Sequence, residues 1–158
     1  MKHIEAYMVN TNRYVFVVGF IVICILLMLC MLLISWLIHI PQLGRVLESI
    51  TLWNIILSVI LTPILETWLF QYLPIEFFKT YYNKTWQLTL ISGIPFGLLH
   101  YFNQYLLRDA VYGVVIGVAF AYVYILAKKR KDINPVLATA LVHAGYNLSG
   151  VVVRVVFA

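Results

Sequence analysis

Long apolar runs separated by short polar breaks organise this chain. The first covers about residues 14–38 and is closed by Pro41 and Gly44. The second covers about residues 50–73 and is closed by Pro74. After it, residues 75–84 (IEFFKTYYNK) mix aromatics with charge, the pattern of a segment lying in a membrane interface. The third run covers about residues 86–102, and the fourth about 109–127, with Asp109 placed to cap its start. The fifth covers about residues 134–157, with Asn134 as N-cap and Pro135 at the first helical position. Since about 20 apolar residues cross a bilayer, the pattern predicts an all-α polytopic membrane bundle of about five transmembrane helices. The whole of 1–158 reads as one domain, with an N-terminal anchor helix in 1–49 and the remaining helices in 50–150.

Composition agrees. Hydrophobic residues make up 63% of the chain and charged ones 11%, with mean hydropathy +0.94. This excludes a soluble domain. The net charge of +5 is not a nucleic-acid footprint, because the basic residues are dispersed except for Lys128, Lys129, Arg130 and Lys131. In a membrane protein such a loop is a topology signal. With the N-terminus inside, Lys2, Arg13, Lys79, Lys84 and that cluster all face the cytoplasm. Arg45 and Arg108 fall outside, and Arg154 snorkels to the outer interface. The reading is a multi-pass cell-membrane protein with its N-terminus cytoplasmic and its C-terminus outside. Residues 14–38 are too long for a signal-peptide core and have no small-residue cleavage site after them, so they read as a retained anchor. Cys24 and Cys30 are six apart in one run and face different ways, so no disulfide is expected. Gly113 and Gly117 form a GxxxG pair that lets two helix backbones approach closely. Packing inside the bundle is the first reading of that pair, and a homo-oligomer face the second.

The informative exceptions are ionisable residues inside apolar runs. Glu66, His100 and His143 lie on three different runs, and such residues usually face a protein-lined cavity with a partner. His143 and Asn147 are four apart, so their side chains share one helix face. An imidazole and a carboxamide so placed can donate two hydrogen bonds to a developing oxyanion. Phe96 and His100 have the same spacing. Pro63 and Pro95 loosen the helix ahead of Glu66 and His100. Alone, Glu66 and the His143–Asn147 pair are equally read as interhelical clamps, and His100 reads first as a membrane-interface residue, because Tyr101, Asn103 and Gln104 follow closely. By span position Glu66 lies roughly 10 Å deep, His143 roughly 14 Å and His100 roughly 20 Å, a wide spread for one site.

Glu66, then Phe96-x-x-x-His100, then His143-x-x-x-Asn147, on successive runs in this order, resembles the CPBP family of intramembrane proteases. That family includes CAAX prenyl endopeptidases and bacteriocin-processing or self-immunity proteins. The resemblance spans about residues 50–150. The family's usual first motif is Glu-Glu-x-x-x-Arg; here Thr67 replaces the second Glu and Gln71 the Arg. The resemblance implies that Glu66 activates a water and shares its proton with His100, while His143 and Asn147 stabilise the oxyanion. Gln71 and Phe96 would support them. It implies no resident metal or other cofactor, although two histidines and a carboxylate leave zinc open on residue type alone. The expected partners are membrane lipid and a peptide or membrane-protein substrate, and not nucleic acid. The rival is a non-catalytic relative that binds a peptide or membrane partner, for instance in bacteriocin immunity or regulation. A bis-histidine haem site at His100 and His143 is a third reading, and it leaves Glu66 and Asn147 without a role.

Overall fold

The computed structural model describes residues 2–38, 51–104 and 106–157. They form six helices and, among the described residues, no strand. A short α1 (Lys2–Asn10) meets α2 (Arg13–Leu37) at an elbow. Asn12 caps α2 there, its side-chain oxygen accepting the Tyr14 N–H at 2.8 Å. Then come α3 (Leu52–Phe78), α4 (Thr85–Gln104), α5 (Leu107–Lys128) and α6 (Pro135–Phe157).

Among the described residues four helices, α2, α3, α5 and α6, are long and apolar enough to cross a membrane. The protein is therefore a helical membrane protein, as the apolar runs predict. The fifth expected span, α4, has the length, with 20 residues, but Thr85, Gln87, Thr89 and Ser92 dilute its apolar pattern. The expected closure of the first span at Pro41 and Gly44, and the placement of Arg45 and of the Arg154 side chain, lie outside the described residues.

The centre of the bundle is α5. Of its apolar window 61% is buried, against 11% for α2 and for α3. A helix that is apolar all round and buried on most sides belongs inside a bundle. Phe16, Phe20 and Cys24 of α2, Phe96 of α4 and Val142 of α6 pack around Phe120 and Val123 of α5.

The contact of α4 with α5 rests on four glycines. A Cβ on Gly113 would stand 2.8 Å from the Gly97 Cα, and one on Gly117 3.1 Å from the Gly93 Cα. Any side chain at these positions would force the backbones apart. The Gly113/Gly117 face is thus covered by α4 of the same chain, the first of the two readings of that motif. Gly93-x-x-x-Gly97 is a second copy of the signal, and it lies in plain view in the sequence.

Three local expectations change. The second span does not stop at Pro74; the helix continues to Phe78, so residues 75–78 of the expected interfacial segment are its last turn. Asp109 does not cap α5. The helix begins at Leu107 with Leu106 as its N-cap residue, and Asp109 is buried in the first turn, 3.2 Å from Arg108 Nε. Arg130 does not sit in a solvated basic loop. Its side chain is 2% exposed. It donates to the Met8 carbonyl at 2.7 Å, to the Thr11 carbonyl at 2.6 Å and to both Asp132 oxygens, with its guanidinium 4.9 Å from the Phe16 ring centroid. It ties the α1–α2 elbow to the α5–α6 loop. By contrast Asn134 caps α6 as expected, accepting the Val136 and Leu137 N–H groups at 2.9 and 3.1 Å. Cys24 and Cys30 are both free.

Candidate active site

Glu66 is carried by the least regular helix. Two turns of α3 are widened, at Leu57–Leu61 and Thr67–Tyr72, and Glu66 ends the α-helical turn between them. In the first, the Thr62 N–H bonds back five residues to Leu57 rather than four. In the second, the Leu73 N–H does the same to Trp68. A proline stands second after each widened turn, Pro63 and Pro74. The cause is local: a proline ring collides with the carbonyl four residues back and offers it no N–H. A widened turn makes the room, and such turns gather at functional sites.

The carbonyls stranded by this arrangement are paired by other helices. Thr62 has turned its N–H to Leu57, and Pro63 has none, so Ser58 keeps no local donor. Asn147 of α6 fills the gap, Nδ2 to the Ser58 oxygen at 2.8 Å. Pro74 cannot donate to Phe70, and Ser92 of α4 does so instead, at 2.5 Å from its hydroxyl. An unpaired carbonyl in an apolar interior is costly, so these bonds hold α3 in register with both neighbours.

That register brings Glu66 to His143. Glu66 Oε2 lies 3.5 Å from His143 Nε2, with the carboxylate side chain 16% exposed and the imidazole 3% exposed. The Phe120 ring lies over the imidazole, centroids 4.3 Å apart. Continuation of α3 to Phe78 adds depth to Glu66, about 18 Å of rise from that end, which removes much of the spread expected from span positions.

His100 joins the cluster through Phe96. The Phe96 ring is 4.6 Å from the His100 ring and 5.7 Å from the His143 ring. His100 Nδ1 lies 2.9 Å from the Phe96 carbonyl. A carbonyl only accepts, so Nδ1 carries the proton and Nε2 carries the lone pair. Gly113 makes room for this ring, since a Cβ there would stand 3.2 Å from His100 Cβ and Cγ.

Of the predicted residues, then, Glu66 meets His143, Phe96 lies against both His100 and His143, and Asn147 bonds to the wall of α3 rather than pointing free. Thr67 and Gln71 are each fully buried. Their side-chain polar atoms, and His143 Nδ1, have no hydrogen-bond partner among the described residues. Among the described residues no three His, Cys, Asp or Glu side chains are grouped as metal ligands. Ser58 and Ser92, which fix the site helix, carry no sequence signal, because their roles depend on where two carbonyls lose their donors.

A glutamate against a buried imidazole, on helices held by stranded-carbonyl bonds, belongs to a helical membrane protein with a polar centre. The family model described as "Type II CAAX prenyl endopeptidase Rce1-like" matches residues 48–149, well over half the chain, and the protein belongs to that Rce1-like family. The match carries the CAAX-endopeptidase side of the resemblance and not the bacteriocin side. No curated protein and no solved structure matches the chain.

Proposed function

We propose that the protein is an intramembrane endopeptidase that hydrolyses a peptide bond in a membrane-associated peptide or protein. The observation that carries this reading is the Glu66–His143 pair at 3.5 Å inside the bundle. Glu66 takes a proton from water, and the hydroxide adds to the scissile carbonyl. His100 Nε2, with its lone pair free of the Phe96 bond, shares that proton. His143 Nε2–H and the second N–H of Asn147 Nδ2 donate to the oxyanion. On collapse the proton passes to the leaving amine, so water is consumed and no other reactant is needed. No cofactor has a role in this scheme. Lys128, Lys129 and Lys131 mark the cytoplasmic end, with the C-terminus outside.

A second reading, a non-catalytic relative that binds a peptide or membrane partner, draws on two observations. Thr67 and Gln71 replace the family's Glu and Arg, and Asn147 already has one N–H engaged. Proteolysis of a candidate peptide pool by purified protein, wild type against Glu66→Gln, separates the two. Cleavage by the wild type and none by the variant supports the enzyme. No cleavage by either, together with capture of a peptide by both, supports the binder.

A further inference from the structure

Outside the residues of the catalytic cluster, a groove of about 420 Å³ opens between α1, α2 and α5. Ile4 and Met8 line it from α1, Phe20 and Ile23 from α2, and Ala119 and Tyr122 from α5. Every side chain lining it is apolar save for the Tyr122 hydroxyl, and that hydroxyl is turned to Glu5, 3.3 Å from Oε1. The walls belong to two helices apolar enough to span a membrane, and Ile23 and Val115 on its edges are exposed. The groove therefore opens sideways into hydrocarbon.

We propose that this groove holds one alkyl chain of an anionic phospholipid. A peptide segment would bring N–H and C=O groups into a slot with nothing to pair them, which the bilayer core penalises strongly. A hydrocarbon chain brings none. The charge beside Tyr122 selects the headgroup. Glu5 joins Tyr122 to Lys129, whose Nζ lies 3.3 Å from Glu5 Oε2. Lys129 is thus linked to the groove lining through Glu5. Arg13 starts the same α2 that supplies Phe20, and Arg130 binds the α1–α2 elbow to the loop that carries Lys131. Lys129, Lys131 and Arg13 are all exposed. The Glu5–Lys129 pair is a surface pair of little strength, so Lys129 is free to turn to a phosphate. Basic residues at a membrane surface attract anionic lipid in this manner. The inference is independent of catalysis.

The test is native mass spectrometry of the purified full chain in detergent, titrated with dioleoyl phosphatidylglycerol and dioleoyl phosphatidylcholine. The expected result is one tightly retained phosphatidylglycerol, preferred by about tenfold or more, the scale of two lysines at an anionic headgroup. The double change Lys129→Gln with Lys131→Gln should abolish the preference. Ala119→Phe fills the groove from α5 and Ile23→Trp fills it from α2, and each should displace the retained lipid. Ile23 is at the edge and tolerates bulk, so the pair keeps the test decisive if Ala119→Phe fails to fold. Equal retention of both lipids by the wild type, or undiminished phosphatidylglycerol binding in a folded groove-filling variant, would overturn the proposal.

Discussion

Asn147 donates to the carbonyl of Ser58, 2.8 Å away and on a different helix, and this carbonyl has lost its own helical donor to a widened turn. The residue that the motif marks as an oxyanion donor is thereby also the latch between α6 and α3. Its two amide hydrogens allow both tasks, and its replacements separate them.

Asn147→Ala leaves the Ser58 carbonyl without a partner, and we expect a loss of about 1 kcal/mol, the scale of interhelical hydrogen bonds in membranes. Asn147→Leu should cost a similar amount, because it keeps the bulk but cannot donate. Thermal unfolding in detergent checks both. Ala and Leu variants as stable as wild type would mean that the Ser58 contact contributes nothing.

Glu66→Gln keeps the shape and the contact with His143 but removes the base of the proposed mechanism. Turnover should fall by roughly 100-fold or more, with little change in the unfolding temperature. If the protein binds rather than cleaves, cells carrying this variant at normal protein level should keep full function, and that outcome would favour the non-catalytic reading.

The α4–α5 glycines should tolerate nothing larger. Gly117→Leu would drive its side chain into the Phe96 ring, 2.9 Å from where a Cβ would stand, and should abolish folding or strongly reduce protein level. Gly19→Leu is the control, because a Cβ at Gly19 meets nothing within 4 Å. Equal yields of the two variants would show that α4 and α5 do not cross so closely.

Asp132 supplies a pH dependence outside the membrane. Its hydrogen bonds to Arg130 hold its carboxyl below the usual value. A lowered folded-state pKa means that its stabilisation is fully present above the unfolded value, about 3.9, and is lost as pH falls through the folded value. The stability difference between wild type and Asp132→Asn should therefore be constant above about pH 5 and shrink below about pH 4. A difference that grows on acidification would contradict the Arg130 clamp.

Features set by neighbouring residues could be read from the sequence. Asn134 and Pro135 start α6 because a cap needs only the next three residues. The polar positions Glu66, His100 and His143 stood out because lipid makes them improbable. Features settled by a second helix could not be read. Pro74 looks like a stop, but the widened turn before it makes room for its ring and Ser92 of another helix bonds the Phe70 carbonyl, so α3 runs on to Phe78. Asp109 looks like a cap until burial beside Arg108 gives it other company. Arg130 looks like one more basic loop residue, since nothing local reveals that two carbonyls of the α1–α2 elbow await it. The Gly93 and Gly97 signal is legible in the sequence, on the same spacing as the pair in α5.

The widened turns of α3 have a consequence for how the sequence can change. Each accommodates one residue more than an α-helical turn, so the helix carries its side chains around the axis out of phase with a regular one. Removing a single residue from Leu57–Leu61 would let that turn wind regularly and leave the flanking parts of α3 in nearly their present orientation, because the widened turn already uses one residue more over the same angle. What would be lost is the room the turn makes for the Pro63 ring and the free Ser58 carbonyl that Asn147 now pairs. The widened turns are therefore the places where α3 can lose a residue with Glu66 still facing His143, at the expense of the latch that ties this helix to α6.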